Sequence, residues 1–280
     1  MSVISVKNLT YSYPNANSPA LLNLDLLVEE GEFILLCGPT GAGKTTLCRT
    51  FLGLIPHFFG GIMEGEVTVL GISTKEIEPS KLAADVGIVF QNPQDQLVAM
   101  SVEEEVAFGP ENLGLPREEI KGRVDESLGL LKISHLRERS PHELSSGQQQ
   151  KVAIASILAM RPSVLILDEP TSQLDPRSSV DIINFVKELN RYEGITVVLA
   201  EHRLETAAPY ADKVVVIDKG GIYVCGPPRE VLDNDHLAEI GVSIPKIVQL
   251  AKALKEKGAA LEELPLTVDE AVDMLGKIIR

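Results

Sequence analysis

No stretch of the sequence approaches the ~18 consecutive apolar residues of a bilayer-spanning helix, so nothing in it reads as a membrane span. The opening residues, Met1–Thr10, alternate like a strand and lack the charged-then-apolar order of a signal peptide. Cysteine is scarce. Cys37, Cys48 and Cys225 are odd in number, lack metal-ligand spacing and have no flanking His or Asp to make a nucleophile. They read as core-filling thiols of a reducing cytoplasm. Basic charge is also short, 26 Lys and Arg against 40 Asp and Glu, and the net charge of −14 argues against a nucleic-acid partner. The acidity suits solubility and equally suits docking on a basic protein surface. Internal repeats and low-complexity segments are absent.

What remains is a 280-residue chain, 44% hydrophobic, sized for one large α/β domain with a small appendage. Four short apolar runs, Phe33–Cys37, Val164–Leu167, Thr196–Ala200 and Val214–Ile217, suit strands buried on both faces of a parallel sheet. Val3–Leu9, Leu22–Val28 and Glu66–Leu70 alternate more and predict an antiparallel layer beside that core. Residues 92–160 read as a mostly helical insertion, within which Ile120, Val124, Leu128 and Leu131 form one apolar stripe. After Pro227–Pro228 two amphipathic helices are expected at 244–255 and 267–279, the second opened by a Thr267–Glu270 capping box. The division expected is a domain over 1–232 and a helical appendage over 233–280.

Gly38-Pro39-Thr40-Gly41-Ala42-Gly43-Lys44-Thr45 matches G-x-x-x-x-G-K-[ST], with Thr46 next in line. It follows an apolar strand and precedes a helix expected over 45–54, the order a phosphate-binding loop requires. Glycines let backbone N–H groups wrap phosphates. Lys44 then reaches the β- and γ-phosphates, the helix N-terminus adds its positive dipole end, and Thr45 offers a hydroxyl to Mg²⁺. The fold class expected is therefore α/β, a RecA-like P-loop NTPase core with an antiparallel β layer and a helical insertion.

Asp168 and Glu169 close the strand Val164–Leu167, at the sheet edge where α/β folds bind ligands. Asp168 fits coordination of Mg²⁺, and Glu169 fits the general base that activates water, worth roughly 10²–10⁴-fold in rate.

Leu144-Ser145-Ser146-Gly147-Gln148 resembles the LSGGQ signature of ABC ATPases, with Ser146 in place of the first glycine. Ser145 and Gln148 also form an S-x-x-Q capping box for a helix running to about Met160. The resemblance covers roughly residues 3–232 and implies further roles. Tyr13, rather than Tyr11, occupies the adenine-stacking position. Gln91 matches the glutamine that senses Mg²⁺ and γ-phosphate, Ser172–Asp175 the loop that crosses the dimer interface, and His202 the switch histidine. Asp175-Pro176 also reads as an N-cap with Pro at N1. Glu201 and Arg203, beside His202, depart from the common Thr-His-Asp and receive no role. In this family the signature helix of one subunit completes the phosphate site of the other, so the resemblance implies a dimer with an identical or paralogous ATPase.

Gln91–Leu97 and Ser101–Asn112 look like the corresponding segment of energy-coupling factor transporter ATPases, importers of vitamins and transition-metal ions. That likeness implies a transmembrane T component, a substrate-binding S component and a peripheral position on the cytoplasmic face of the membrane. Glu103, Glu104 and Glu105 are expected to supply charge to a basic partner or to favour a helix N-terminus. Phe58 and Phe59 are expected to pack on the helical insertion or to touch a partner. The segment from Leu264 resembles a tail supporting dimerisation in these ATPases. The alternative functions are a conventional ABC importer or exporter ATPase, or a soluble ABC ATPase outside transport.

Overall fold

In a computed structural model the structure describes residues 2–259, 261 and 263–278. Strand alternation builds its two cores. In β3 (Phe33–Cys37), Phe33, Leu35 and Cys37 face one core while Ile34 and Leu36 face the other. The same division holds in β7 (Val164–Asp168) and β8 (Thr196–Ala200), where Leu165, Leu167, Val197 and Leu199 oppose Val164, Ile166, Val198 and Ala200. Successive side chains leave a strand on opposite faces, so strands apolar at every position must be covered on both sides.

Among the described residues, those strands sit in a six-stranded sheet that adds β6 (Val86–Val89), β9 (Lys213–Asp218) and β10 (Gly221–Gly226), in the order β10-β9-β3-β8-β7-β6. All neighbours run parallel except β10, which pairs antiparallel with β9. One face is covered by an antiparallel sheet of β1 (Ser2–Ser12), β2 (Leu21–Glu29), β4 (Ile62–Val69) and β5 (Ile72–Ser73), ordered β2-β1-β4-β5. Helix α1 (Lys44–Phe51) is wedged into the same core through Leu47, Cys48 and Phe51. This is the expected RecA-like core with its antiparallel layer.

The opposite face carries the helical insertion: α2 (Val102–Asn112), α3 (Arg117–Leu130) and α4 (Ser146–Leu158), together with α5 (Pro176–Glu193). The expected stripe of α3 is present, with Val124, Leu128 and Leu131 buried and Ile120 packed against them. Helices α6 (Lys246–Glu256) and α7 (Val268–Ile278) follow the predicted bounds closely, and position 279 lies outside the described residues. Thr267 Oγ1 accepts the Glu270 N–H (3.2 Å), but the Glu270 carboxylate takes the Leu266 N–H (2.8 Å) and is gripped by Arg229. The reciprocal half of the capping box is thus displaced by one residue. Leu237, Val242, Val248 and Leu266 join one of the two cores that flank β3 and β7, so the segment after 232 packs directly on the main domain.

Several expectations are corrected. The helix after the phosphate loop ends at Phe51, where Gly53 turns the chain at φ +69°, instead of reaching Leu54. Strands β6 and β10 were not anticipated. In β6, Gly87 interrupts the apolar pattern because α4 approaches closely: a Cβ there would lie 2.1 Å from Ile157 Cγ2. Cys37 and Cys48 are buried, and burial raises the Cys37 thiol to about 12, but Cys225 is exposed. Phe59 packs edge-on to Tyr13 under the guanidinium of Arg49, on the antiparallel-sheet side, and Phe58 is 79% exposed; neither packs on the helical insertion.

Glu105 is likewise not a surface charge. It is buried, and its Oε2 accepts the N–H groups of Val98 (2.8 Å) and Ala99 (2.7 Å). Both bonds hold the chain between β6 and α2. Replacing it (Glu105→Ala) orphans two backbone donors, and urea denaturation should register a loss of about 1–3 kcal/mol. Limited proteolysis should cut that segment faster, whereas unchanged stability and cleavage would assign the carboxylate no such role.

Candidate nucleotide site

Every strand of the parallel group ends at one edge, and the predicted groups are mounted there. Between β3 and α1, the loop Gly38–Gly43 is shaped by close backbone approaches. Gly38 has φ +146°, and a Cβ on it would sit 2.1 Å from the Ile217 carbonyl oxygen. Gly43 caps α1 in a left-handed conformation, and the first helical bond runs from Leu47 N–H to the Gly43 carbonyl (2.9 Å). The N–H groups of the first turn therefore lack helical acceptors, which makes this end an anion cradle.

Lys44 is 4% exposed, and its Nζ lies 3.1 Å from the Gly38 carbonyl, 3.2 Å from that of Pro39 and 3.5 Å from Glu169 Oε1. Thr45 Oγ1 donates to Asp168 Oδ1 at 3.1 Å. Burial raises the Asp168 carboxyl above the usual carboxylate range, opposed by the Thr45 hydrogen bond. Glu169 is the meeting point: Gln91 Nε2 donates to Oε2 (2.8 Å), and His202 Nε2 lies 2.8 Å from Oε1. The same His202 nitrogen lies 3.4 Å from Lys44 Nζ. An ionised carboxylate only accepts and an ammonium only donates, so the shorter contact puts the proton on Nε2 and leaves the longer one a mere proximity.

The structure thus brings together Lys44, Thr45, Gln91, Asp168, Glu169 and His202. Tyr13 flanks the cradle, its hydroxyl 3.2 Å from Thr46 Oγ1 and accepting from Arg49 Nη1 at 3.1 Å. Tyr11 is fully buried and bonds the Gly60 carbonyl, which removes it as a surface for a ligand. Sequence reasoning missed Arg49; its only signal was a cation one turn along the helix from the phosphate loop.

The signature segment stands apart. Ser145 and Gln148 complete both halves of the capping box on α4, and Ser146 Oγ donates to the Gln173 carbonyl (3.3 Å). Among the described residues, no hydrogen bond or ion pair joins Ser145–Gln148 to Gly38–Thr46. Gln94 Nε2 reaches Gln149 Oε1 (3.2 Å), tying the loop after β6 to the signature helix. Gln96 turns inward instead, to Ile88 O and Phe90 N–H.

With this geometry in place, the family model described as ABC transporter matches residues 21–172. The chain belongs to the ABC transporter ATP-binding family. The Clostridium novyi energy-coupling factor transporter ATP-binding protein EcfA1 is 43% identical to this ATPase over 279 residues, 98% of each chain. A protein of Methanosarcina acetivorans is 45% identical over 98% of this chain but only 42% of its own length, so the chain spans less than half of that relative. Among solved structures, cbiO1 of Clostridium perfringens, part of the ABC transporter complex cbiONQ, superposes with a TM-score of 0.76 at 34% identity, covering 90% of this chain and 99% of its own. A dimeric post-hydrolysis ATP-binding cassette bound to ADP and Pi gives 0.71 at 29% identity, over 81% of this ATPase and 99% of that chain.

Substituting Gly38→Ala forces a Cβ onto a backbone oxygen that cannot withdraw. Titration with a fluorescent ATP analogue should register affinity weaker by roughly five- to a hundredfold, the scale of overpacking worth ~1–3 kcal/mol. Wild-type affinity would mean that the loop tolerates another path.

Proposed function

We propose that this ATPase is the motor subunit of an energy-coupling factor importer, working as a dimer at the cytoplasmic face of the membrane. ATP-driven closure of that dimer powers uptake of a vitamin or transition-metal ion through a transmembrane T component that carries a substrate-binding S component. The observation that carries this reading is the end-to-end likeness to the Clostridium novyi energy-coupling factor protein. Among the described residues no helix is long and apolar enough to cross a membrane, so the transport path is assigned to other subunits.

The reaction follows from the groups around Glu169. The loop Gly38, Pro39, Thr40, Gly41, Ala42 and Gly43, with Thr45 and Thr46, cradles the phosphates, and the Lys44 ammonium neutralises the β- and γ-oxygens. The Tyr13 ring stacks on adenine while Arg49 and Thr46 hold its hydroxyl. Glu169 takes the proton of the attacking water, oriented by the amide of Gln91, and the Nε2–H of His202, held on Glu169 in this structure, turns to donate to the γ-phosphate when ATP is bound. The all-oxygen pair of Thr45 Oγ1 and Asp168 is the hard donor chemistry that suits Mg²⁺. Among the described residues no three His, Cys, Asp or Glu side chains gather as a metal cage. A bound Mg²⁺ would therefore be held by Thr45, Asp168 and Gln91 with phosphate oxygens and water, and would offset phosphate charge.

Dimerisation is supported by the separation of the signature from the phosphate loop. Ser145, Ser146, Gly147 and Gln148, at the capped start of α4, serve the γ-phosphate held by a second subunit, identical or paralogous. Hydrolysis cuts the γ-phosphate from ADP, and its departure as inorganic phosphate removes the charge that joins the two and lets them part. If Glu169 is the base, Glu169→Gln retains ATP binding, lowers turnover by about 10²–10⁴-fold and accumulates an ATP-bound dimer on size-exclusion chromatography. Wild-type turnover in that variant would remove Glu169 from the role.

For the T component, the segment between β6 and α2 offers Val98 and Met100, 66% and 82% exposed, beside the exposed carboxylate of Glu104. Apolar side chains rimmed by acid suit a basic amphipathic helix. Glu103 is partly engaged by Arg137 (3.4 Å), and Glu105 is internal, so among the described residues Glu104 is the free charge of the three. The double substitution Met100→Ser, Glu104→Lys should reduce co-purification with the native membrane partners and leave basal ATPase intact. Undiminished recovery would move the docking surface elsewhere.

A further inference from the structure

Glu201 stands immediately before the switch histidine and is 3% exposed. Its Oε1 accepts both the N–H (3.1 Å) and the hydroxyl (2.6 Å) of Thr171, itself buried, and its Oε2 accepts the N–H of His202 (3.1 Å). Thr171 is two residues beyond Glu169 and begins the loop Ser172–Asp175. One buried carboxylate therefore bridges the chain leaving β7 to the chain leaving β8, just past the last strand pairing, Asp168 with Ala200.

Burying a carboxylate without a cation is costly unless donors surround it. Burial raises the Glu201 carboxyl above the usual range, opposed by its bonds from Thr171 and from the backbone. Because Glu201 lies on the chain leaving β8, the bonds of its Oε1 to Thr171 tie the two exits together, while Oε2 fixes the adjoining His202 N–H. Backbone bonds run from Glu169 N–H to the Ala200 carbonyl (2.9 Å) and from Glu201 N–H to the Leu36 carbonyl (3.0 Å); beyond them the Glu201 carboxylate is what joins the two exits beside the 2.8 Å contact of His202 Nε2 with Glu169 Oε1.

We infer that Glu201 is a positioning residue for ATP hydrolysis: its carboxylate locks the His202 backbone to Thr171, keeping the switch histidine in register with Glu169 and with the loop Ser172–Asp175. This rests on the roles given above to Glu169 and His202. Glu201 touches no nucleotide; it acts through its two neighbours.

The decisive comparison uses the full-length ATPase, with steady-state kinetics, ATP-analogue affinity and thermal melting measured on each variant. In Glu201→Gln the amide nitrogen meets donors on one side, so one tie must break. Losing one charge-assisted hydrogen bond from the turnover geometry should lower kcat by about ten- to a hundredfold. ATP affinity should stay within about twofold, because no phosphate or adenine contact is altered. Thr171→Val removes only the hydroxyl bond and should reduce kcat in the same direction. The double variant should be no slower than Glu201→Gln alone, because both changes cut one bridge. Glu201→Asp, one methylene shorter, should not restore the rate. The inference is overturned by Glu201→Gln with wild-type kcat, by losses of kcat and affinity that track a fall in melting temperature, or by multiplicative losses in the double variant. Glu169→Gln, run in parallel, separates the two readings: persistent turnover there sinks the site assignment itself, whereas a silent Glu201→Gln alone sinks only the bridge.

Discussion

Strands β3, β7 and β8 have no exposed residue, and the site depends on that condition. A parallel sheet covered on both faces cannot shift register by one residue without exchanging the side chains assigned to its two cores. The positions at which the strands end are consequently held firmly. Cys37 leads into the phosphate loop, Asp168 closes β7, and Ala200 precedes Glu201 and His202. Groups more than a hundred residues apart in the chain, such as Lys44 and His202, come within 3.4 Å because their strands stop together.

At that edge the dominant physics is electrostatic. Among the described residues, three carboxylates near the nucleotide site and the adjoining segment are buried and a fourth, Glu169, is half-buried, and each is answered differently. Asp168 takes the Thr45 hydroxyl, Glu169 collects Lys44, His202 and Gln91, Glu201 is surrounded by Thr171 and backbone, and Glu105 accepts two backbone N–H groups. Only Glu169 gathers side chains that are themselves suited to phosphate or water. The others accept from a hydroxyl or from backbone N–H groups, a division of labour set by donors and not by residue type. It also reframes the net charge of −14: part of that acid lies inside and never meets a partner.

The two helical elements on the far face are tied back to the site through short polar links. Gln94 to Gln149 joins the segment after Gln91 to the signature helix, and Ser146 to Gln173 joins that helix to the loop following Glu169. The helical insertion is therefore joined to the loops that follow β6 and β7 by groups with discrete partners. Apolar exposure at Val98 and Met100 lies on the same segment, a few residues beyond Gln91 and its bond to Glu169.

Much of this was legible before any coordinates. The phosphate loop, the Asp168–Glu169 pair and the capping box at Ser145 are local patterns whose chemistry is carried by consecutive residues, and strands apolar at every position announce burial on both faces. Those features follow from backbone sterics, dipoles and hydrophobic period, which act over a few residues. Glu201, Glu105, Gln96, Phe59 and Cys225 were read without a role or with the wrong surroundings, because each is defined by what it meets. Glu201 and Glu105 look like surface acids in a one-dimensional pattern, and only the neighbours that folding supplies turn them into internal acceptors. β6 was hidden by a glycine whose reason is a helix packed close against it. The sequence by itself determined the chemical inventory and the order in which it is strung. Tertiary structure alone decided which acids stay dry and which remain exposed, since burial and hydrogen-bond partners arise between segments far apart in the chain.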